Sequence, residues 1–158
     1  VTELLGRFRR EAGNGEAGTA VVEFAVVLPL LLLIVFGIVD FGRAVNYTND
    51  ATHLASEGAR WATVDSNPGA PSSLQQYLAG QADSTEMMDN AKVCISFPNG
   101  SAPQAGDPVQ VTVSVDFNWT PYISKSVFGG ATGITLTGKA VMRIERPPST
   151  YSAGCYQA

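Results

Sequence analysis

GTAVVEFAVVLPLLLLIVFGIVD, residues 18–40, is an apolar run with one acid inside it. Crossing the hydrocarbon core of a bilayer takes about 20 apolar residues of α-helix, so the run is long enough to span one. Glu23 lies five residues past Gly18. A carboxylate within such a segment costs about 2.5–3.5 kcal/mol on insertion scales, so its presence calls for a role. Pairing with a positive charge on a neighbouring helix would relieve both groups and set the register between subunits. The plainer alternative places Glu23 at headgroup level, one turn into the span and solvated.

Other glycines in the leader lack this setting. Gly6 is followed at the same distance by Glu11, but Arg7, Arg9 and Arg10 intervene and no apolar run follows. At that distance Gly13 meets Gly18, and Gly15 meets Ala20. Gly18 alone combines the acid with the apolar run. The arrangement resembles a type IV prepilin processing site, where a peptidase on the cytoplasmic side cuts after the glycine. Thr19 would then be the new N-terminus, where many type IV pilins carry a methylated phenylalanine.

The wider stretch, EAGTAVVEFAVVLPLLLLIVFGIVDFGRAVNYTNDATHLASEGARWAT, resembles the N-terminal region of TadE-like proteins, pseudopilins of the tight-adherence (Tad) pilus system. The matching pieces are the GTAVVEF start, the LP within the span, the FGIVDFGRA exit and the small-residue helix ending in EGAR. The late strand Val141-Met142-Arg143-Ile144-Glu145 resembles the end of that family's domain. The resemblance implies a minor pilus component, cut between Gly18 and Thr19, with Glu23 setting assembly register. It also implies three kinds of partner: other pilin and pseudopilin subunits, the prepilin peptidase and the inner-membrane Tad assembly platform.

Bulk properties agree with an anchored domain. The chain has 158 residues, room for one small domain and an anchor. Val1 is compatible with a non-ATG start or a trimmed chain. Net charge is −4, so no basic field is available to hold nucleic acid. Charged residues make up only 15%, as expected when part of the chain lies in lipid. Arg7, Arg9 and Arg10 precede the span, while Arg43 alone follows closely, so the N-terminus is expected inside and the C-terminal part exported. Cys94 and Cys155 both fall in the exported part. A disulfide is their default state in an oxidising compartment, with unpaired thiols the alternative. Two cysteines and one histidine without close spacing do not make a metal site.

The pattern predicts an α+β fold: a long N-terminal transmembrane and stalk helix, then a small antiparallel sheet as the head, in the pilin manner. Residues 1–18 read as a cytoplasmic leader, 19–40 as the transmembrane helix, 41–64 as its extracytoplasmic continuation and 65–158 as the exported head. After the span Ala44, Tyr47, Ala51, Ala55, Gly58 and Ala62 recur every three or four residues. They form a helical packing stripe whose small residues allow close backbone approach. Asn46, Asn49, Asp50, His53 and Glu57 mark the opposite face. Pro29 removes one backbone bond, so a kink or local unwinding is expected there. Residues 65–73 read as a loop. Ser72 or Ser73 would cap an uneven second helix over 73–90. Strands are predicted over 92–97, 109–119 and 134–145. The second has the clearest alternation, and Ile134, Leu136, Ala140, Met142 and Ile144 of the third face inward. The tail, 146–158, reads as irregular, tied back by Cys155.

Polar residues near the exit, Asp40, Arg43 and Asp50, read as interfacial and solvated, with a weak helical pair between Asp40 and Arg43. His53 reads as a solvated helix residue, and Trp61 and Trp119 as core. The loop Thr120–Gly133 presents Tyr122, Ile123, Val127 and Phe128 among glycines. It is either a flap on the core or a contact loop for a partner. No nucleophile–base–acid set, phosphate-binding loop, HExxH or CxxC occurs, so neither an enzyme nor a cofactor is expected. Three rivals to the pseudopilin remain. One is a membrane-anchored exported adhesin or binding module that is never processed. Another is a retained periplasmic scaffold. The last is ordinary secretion with a cut after Ala44.

Overall fold

Val109, Val111, Val113, Val115 and Phe117 alternate with Gln110, Thr112, Ser114, Asp116 and Asn118, and this period of two builds the centre of the sheet. The first set is buried and the second set is partly or fully exposed. The computed structural model describes residues 15–119 and 133–158. The elements are helix α1 (Gly15–Thr63), helix α2 (Leu74–Ala79), helix α3 (Thr85–Asn90) and strands β1 (Ala91–Ser96), β2 (Pro108–Asn118), β3 (Gly133–Arg143) and β4 (Gly154–Gln157). The four strands form one sheet in the order β3-β2-β1-β4. All three pairings are antiparallel. The fold is therefore α+β: a long N-terminal apolar helix followed by a small antiparallel sheet.

The contacts divide the chain into two units, Val1–Val39 and Asp40–Ala158. In the described part of the first unit, α1 runs through Pro29 with no unwound turn. It begins at Gly15, ahead of the expected start at Thr19. In the second unit the rest of α1 packs on the sheet. Ala51, Leu54, Ala55, Ala59 and Ala62 are buried, with Ala44, Tyr47 and Gly58 beside them. Their size sets the distance between helix and sheet. A Cβ added at Gly138 of β3 would overlap the backbone of Ala51 and Thr52, so helix and strand meet backbone to backbone. A Cβ at Gly58 would collide with Leu78 of α2 and crowd Val111 of β2.

Several sequence expectations are corrected. The helix over 73–90 is two helices. Ser73 caps α2 by accepting from the Gln76 amide, and α2 stops at Gly80. Ser84 then caps α3 by accepting from the Met87 amide. A second cap residue four positions after a glycine makes two short helices better satisfied than one long one. The tail is not irregular throughout. β4 pairs with β1, Cys94 faces Cys155 in register, and the two form a disulfide. Ile134 shares a face with Phe117, but at the sheet edge it is 44% exposed rather than inward. Leu136, Ala140 and Met142 are half-buried for the same reason, and Ile144 is fully covered.

Candidate assembly site and membrane-exit cluster

On α1 every large apolar side chain from Val21 to Val39 is exposed except the half-buried Leu28. Exposures run from 41% at Leu32 to 74% at Val26. A helix apolar on all sides with nothing covering it is unstable in water and suited to lipid or to other apolar helices. It is the one helix among the described residues long and apolar enough to cross a membrane, which suits a single-pass anchor. Gly18 has open space around it. Glu23 is exposed on this surface. Thr19 and Glu23 stand four residues apart, one turn along the same face.

Within the second unit a cluster joins Asp40, Arg43 and Tyr47 of α1 to α3 and β2. Arg43 donates from Nη1 to Asp40 Oδ1 at 3.3 Å and from Nη2 to Glu86 Oε2 of α3 at 3.2 Å. Tyr47 donates its hydroxyl to the same Glu86 oxygen at 2.7 Å. The Arg43 guanidinium lies 5.4 Å from the Phe117 ring centroid. Phe117 meets Tyr47 edge-on at 5.5 Å and Trp119 edge-on at 5.2 Å. Asp40 is not solvated as expected: it is 2% exposed, although its partner stays partly in water. Asp50 is also buried, accepting the Asp83 amide at 3.0 Å and so holding the linker ahead of α3. His53 is exposed, as its polar neighbours suggested.

A second network, which the sequence did not reveal, closes the far end of α1. Asp65 has a left-handed backbone with φ of 54°. The Ser66 amide turns back to the Trp61 carbonyl at 3.1 Å, stopping the helix. The Asp65 carboxylate accepts the amides of Ser149 and Thr150 at 2.7 and 2.9 Å, and both of their hydroxyls as well. Burial opposes its charge, but those four donors outweigh burial and hold the carboxyl down at about 2. Tyr151 donates its hydroxyl to the Ala62 carbonyl at 2.8 Å. Burial, and then the Asp65 charge, push this phenol up to about 12. The Glu145 and Arg146 amides take the Thr63 carbonyl at 2.9 and 3.2 Å. Thus two of the last carbonyls of α1, those of Ala62 and Thr63, are satisfied by donors from residues 145–151, the first of them shared with the Asp65 amide at 3.4 Å.

The loop residues Tyr122, Ile123, Val127 and Phe128 lie outside the described residues, as does most of the leader. Among the described residues, no group of three or more His, Cys, Asp or Glu side chains could hold a metal ion.

A stretch that is apolar on all faces, carries one acid five residues past a glycine and runs on into a small-residue stripe can be compared with known families directly. Residues 18–60 match the family of TadE-like proteins. The match opens at Gly18 and closes at Arg60, so the TadE-like region comprises nearly all of α1 and none of the sheet. No curated protein and no solved structure matches the chain.

Proposed function

We propose that this chain is a minor pseudopilin of a Tad-type pilus. In this reading it inserts with its N-terminus inside and its head outside the cytoplasmic membrane. A prepilin peptidase cuts it after Gly18, and it acts in pilus assembly or initiation. The single observation that carries the reading is the uncovered apolar stretch of α1, with Glu23 five residues past the glycine at which the TadE-like match opens. Cleavage would free an amine at Thr19. In lipid that amine and a Glu23 carboxylate of a neighbouring subunit would each be costly alone and would relieve one another when paired. The function is packing: residues 19–39 against other pilin-type helices and membrane lipid, and the head against neighbouring subunits. The inner-membrane assembly platform would receive the processed chain. Nothing in this reading needs catalysis.

The test is the intact mass and N-terminal sequence of membrane-extracted protein, with and without a co-expressed prepilin peptidase. A new N-terminus at Thr19, formed only with the peptidase, is the expected result. An uncut chain, or a cut after Ala44, would sink the proposal and leave an anchored or secreted binding module.

A further inference from the structure

The C-terminal strand is held in a different way from the segment that precedes it. Residues 145–151 are fixed by the Asp65 carboxylate, by the Tyr151 hydroxyl on the Ala62 carbonyl and by two amides on the Thr63 carbonyl. Tyr151 is itself buried. Past this point the character changes. Of residues 152–158 only Tyr156 is even half-buried, and the others are exposed. β4 is four residues long and lies at the edge of the sheet. Its other ties are the ladder to β1, the Ala158 amide on the Ala91 carbonyl at 3.2 Å, the Gln75 side-chain amide on the Ser152 and Gly154 carbonyls at 2.9 and 3.5 Å, and the half-buried Tyr156 ring against the core. A short edge strand with almost no apolar burial belongs to the part of a fold that opens first. What sets β4 apart is the bond from Cys155, which is exposed, to Cys94 in β1, which is half-buried.

We infer that β4 is a redox-released edge strand: reduction of Cys94–Cys155 frees residues 152–158 and uncovers the outer edge of β1, while the rest of the head stays folded. The reductant is a dithiol. Its thiolate attacks Sγ of the exposed Cys155, the sulfur–sulfur bond breaks and Cys94 leaves as a thiolate. The second thiol of the reductant then displaces Cys155 from the mixed disulfide. The reductant ends as a disulfide, both cysteines end as thiols, and the two protons come from the reductant. The strap at 145–151 uses no sulfur, so it marks where the release stops. The uncovered β1 edge then presents unpaired amides and carbonyls, the groups that accept an added strand.

The experiment is amide hydrogen exchange on the full chain in detergent micelles, oxidised and then reduced with dithiothreitol. A Cys155→Ser variant without reductant serves as the second route to the same state. In both, the amides of 154–157 and those β1 amides that face them should exchange about tenfold faster or more, as local opening requires. Protection across 109–117 and at the Ser149 and Thr150 amides, which Asp65 holds, should stay within about twofold, since those amides are outside the opening unit. Unchanged protection at 154–157 would show that β4 is held without the sulfur bond. Acceleration spreading through β2 would show that the bond holds the whole head. Either result overturns the inference.

Discussion

Asp65 occupies a backbone conformation that few side chains other than Asn and Asp take readily, with φ of 54°. Its carboxylate then gathers four donors from Ser149 and Thr150. Hydrogen bonds to a charged group contribute about 1.5–3 kcal/mol, so Asp65→Ala should destabilise the head by about 2 kcal/mol or more in denaturant unfolding. The pH dependence follows from the direction of the shift. The carboxyl sits at about 2 when folded and at 3.8 in its ordinary state. Its contribution is therefore complete above the ordinary value and is lost as pH falls through about 2. Melting points taken from pH 5 down to pH 2 should drop in the native chain and drop less in Asp65→Asn. Tyr151 works in the other direction. Its phenol is raised from 10.0 to about 12, so its contribution is present below pH 10 and lost as pH climbs through 12. Tyr151→Phe should cost about 1 kcal/mol at neutral pH and remove that alkaline loss, both measured by unfolding. None of this was legible in the sequence. Asp65 opens a segment of loop composition, and its partners lie 84 and 85 residues further on. Only the tolerance of aspartate for a left-handed turn after a helix hinted at it.

Among the elements, the strands with strict alternation were the ones the sequence located well. Expected limits of 92–97, 109–119 and 134–145 compare with Ala91–Ser96, Pro108–Asn118 and Gly133–Arg143. β4 was missed because Gly-Cys-Tyr-Gln is too short to show a period, and its place is set by β1 and Cys94. The helix over 73–90 was misjudged because Ser84, a cap, was read as an interior residue. Asp40 and Asp50 were misplaced for one reason. Helical periodicity marks the face a residue lies on, while burial also depends on what α3 and its linker bring across it. The contact between α1 and β3 gives the sharpest test at this scale. Gly138→Ala must move the backbone of Ala51 and Thr52, and overpacking of this kind should cost about 3 kcal/mol. Thr137→Ala, exposed on the same strand, should stay within about 0.5 kcal/mol. Denaturation curves for the two variants make the comparison.

For the whole chain, the part the sequence made plain is the part that matches a family, residues 18–60, because lipid imposes a long and simple pattern. The head had to be assembled from short strands, and its closing contacts are not local. The proposed role makes Glu23 the residue to change. Glu23→Ala should leave the protein in the membrane fraction and remove it from sheared pili. Glu23→Gln should do the same, because it keeps the shape and loses the charge. Normal recovery of either variant in pili would count against charge pairing. The strap on α1 carries a separate consequence, one of order in time. A ribosome delivers the helix long before it delivers the residues that finish its end. Until Tyr151 has been made, 89 residues after Ala62, the Ala62 carbonyl lacks its hydroxyl donor and the Thr63 carbonyl lacks the Glu145 and Arg146 amides. Nascent chains halted before residue 145 should therefore fray at Ala62–Thr63 and be cut there by a protease, and chains past residue 151 should resist.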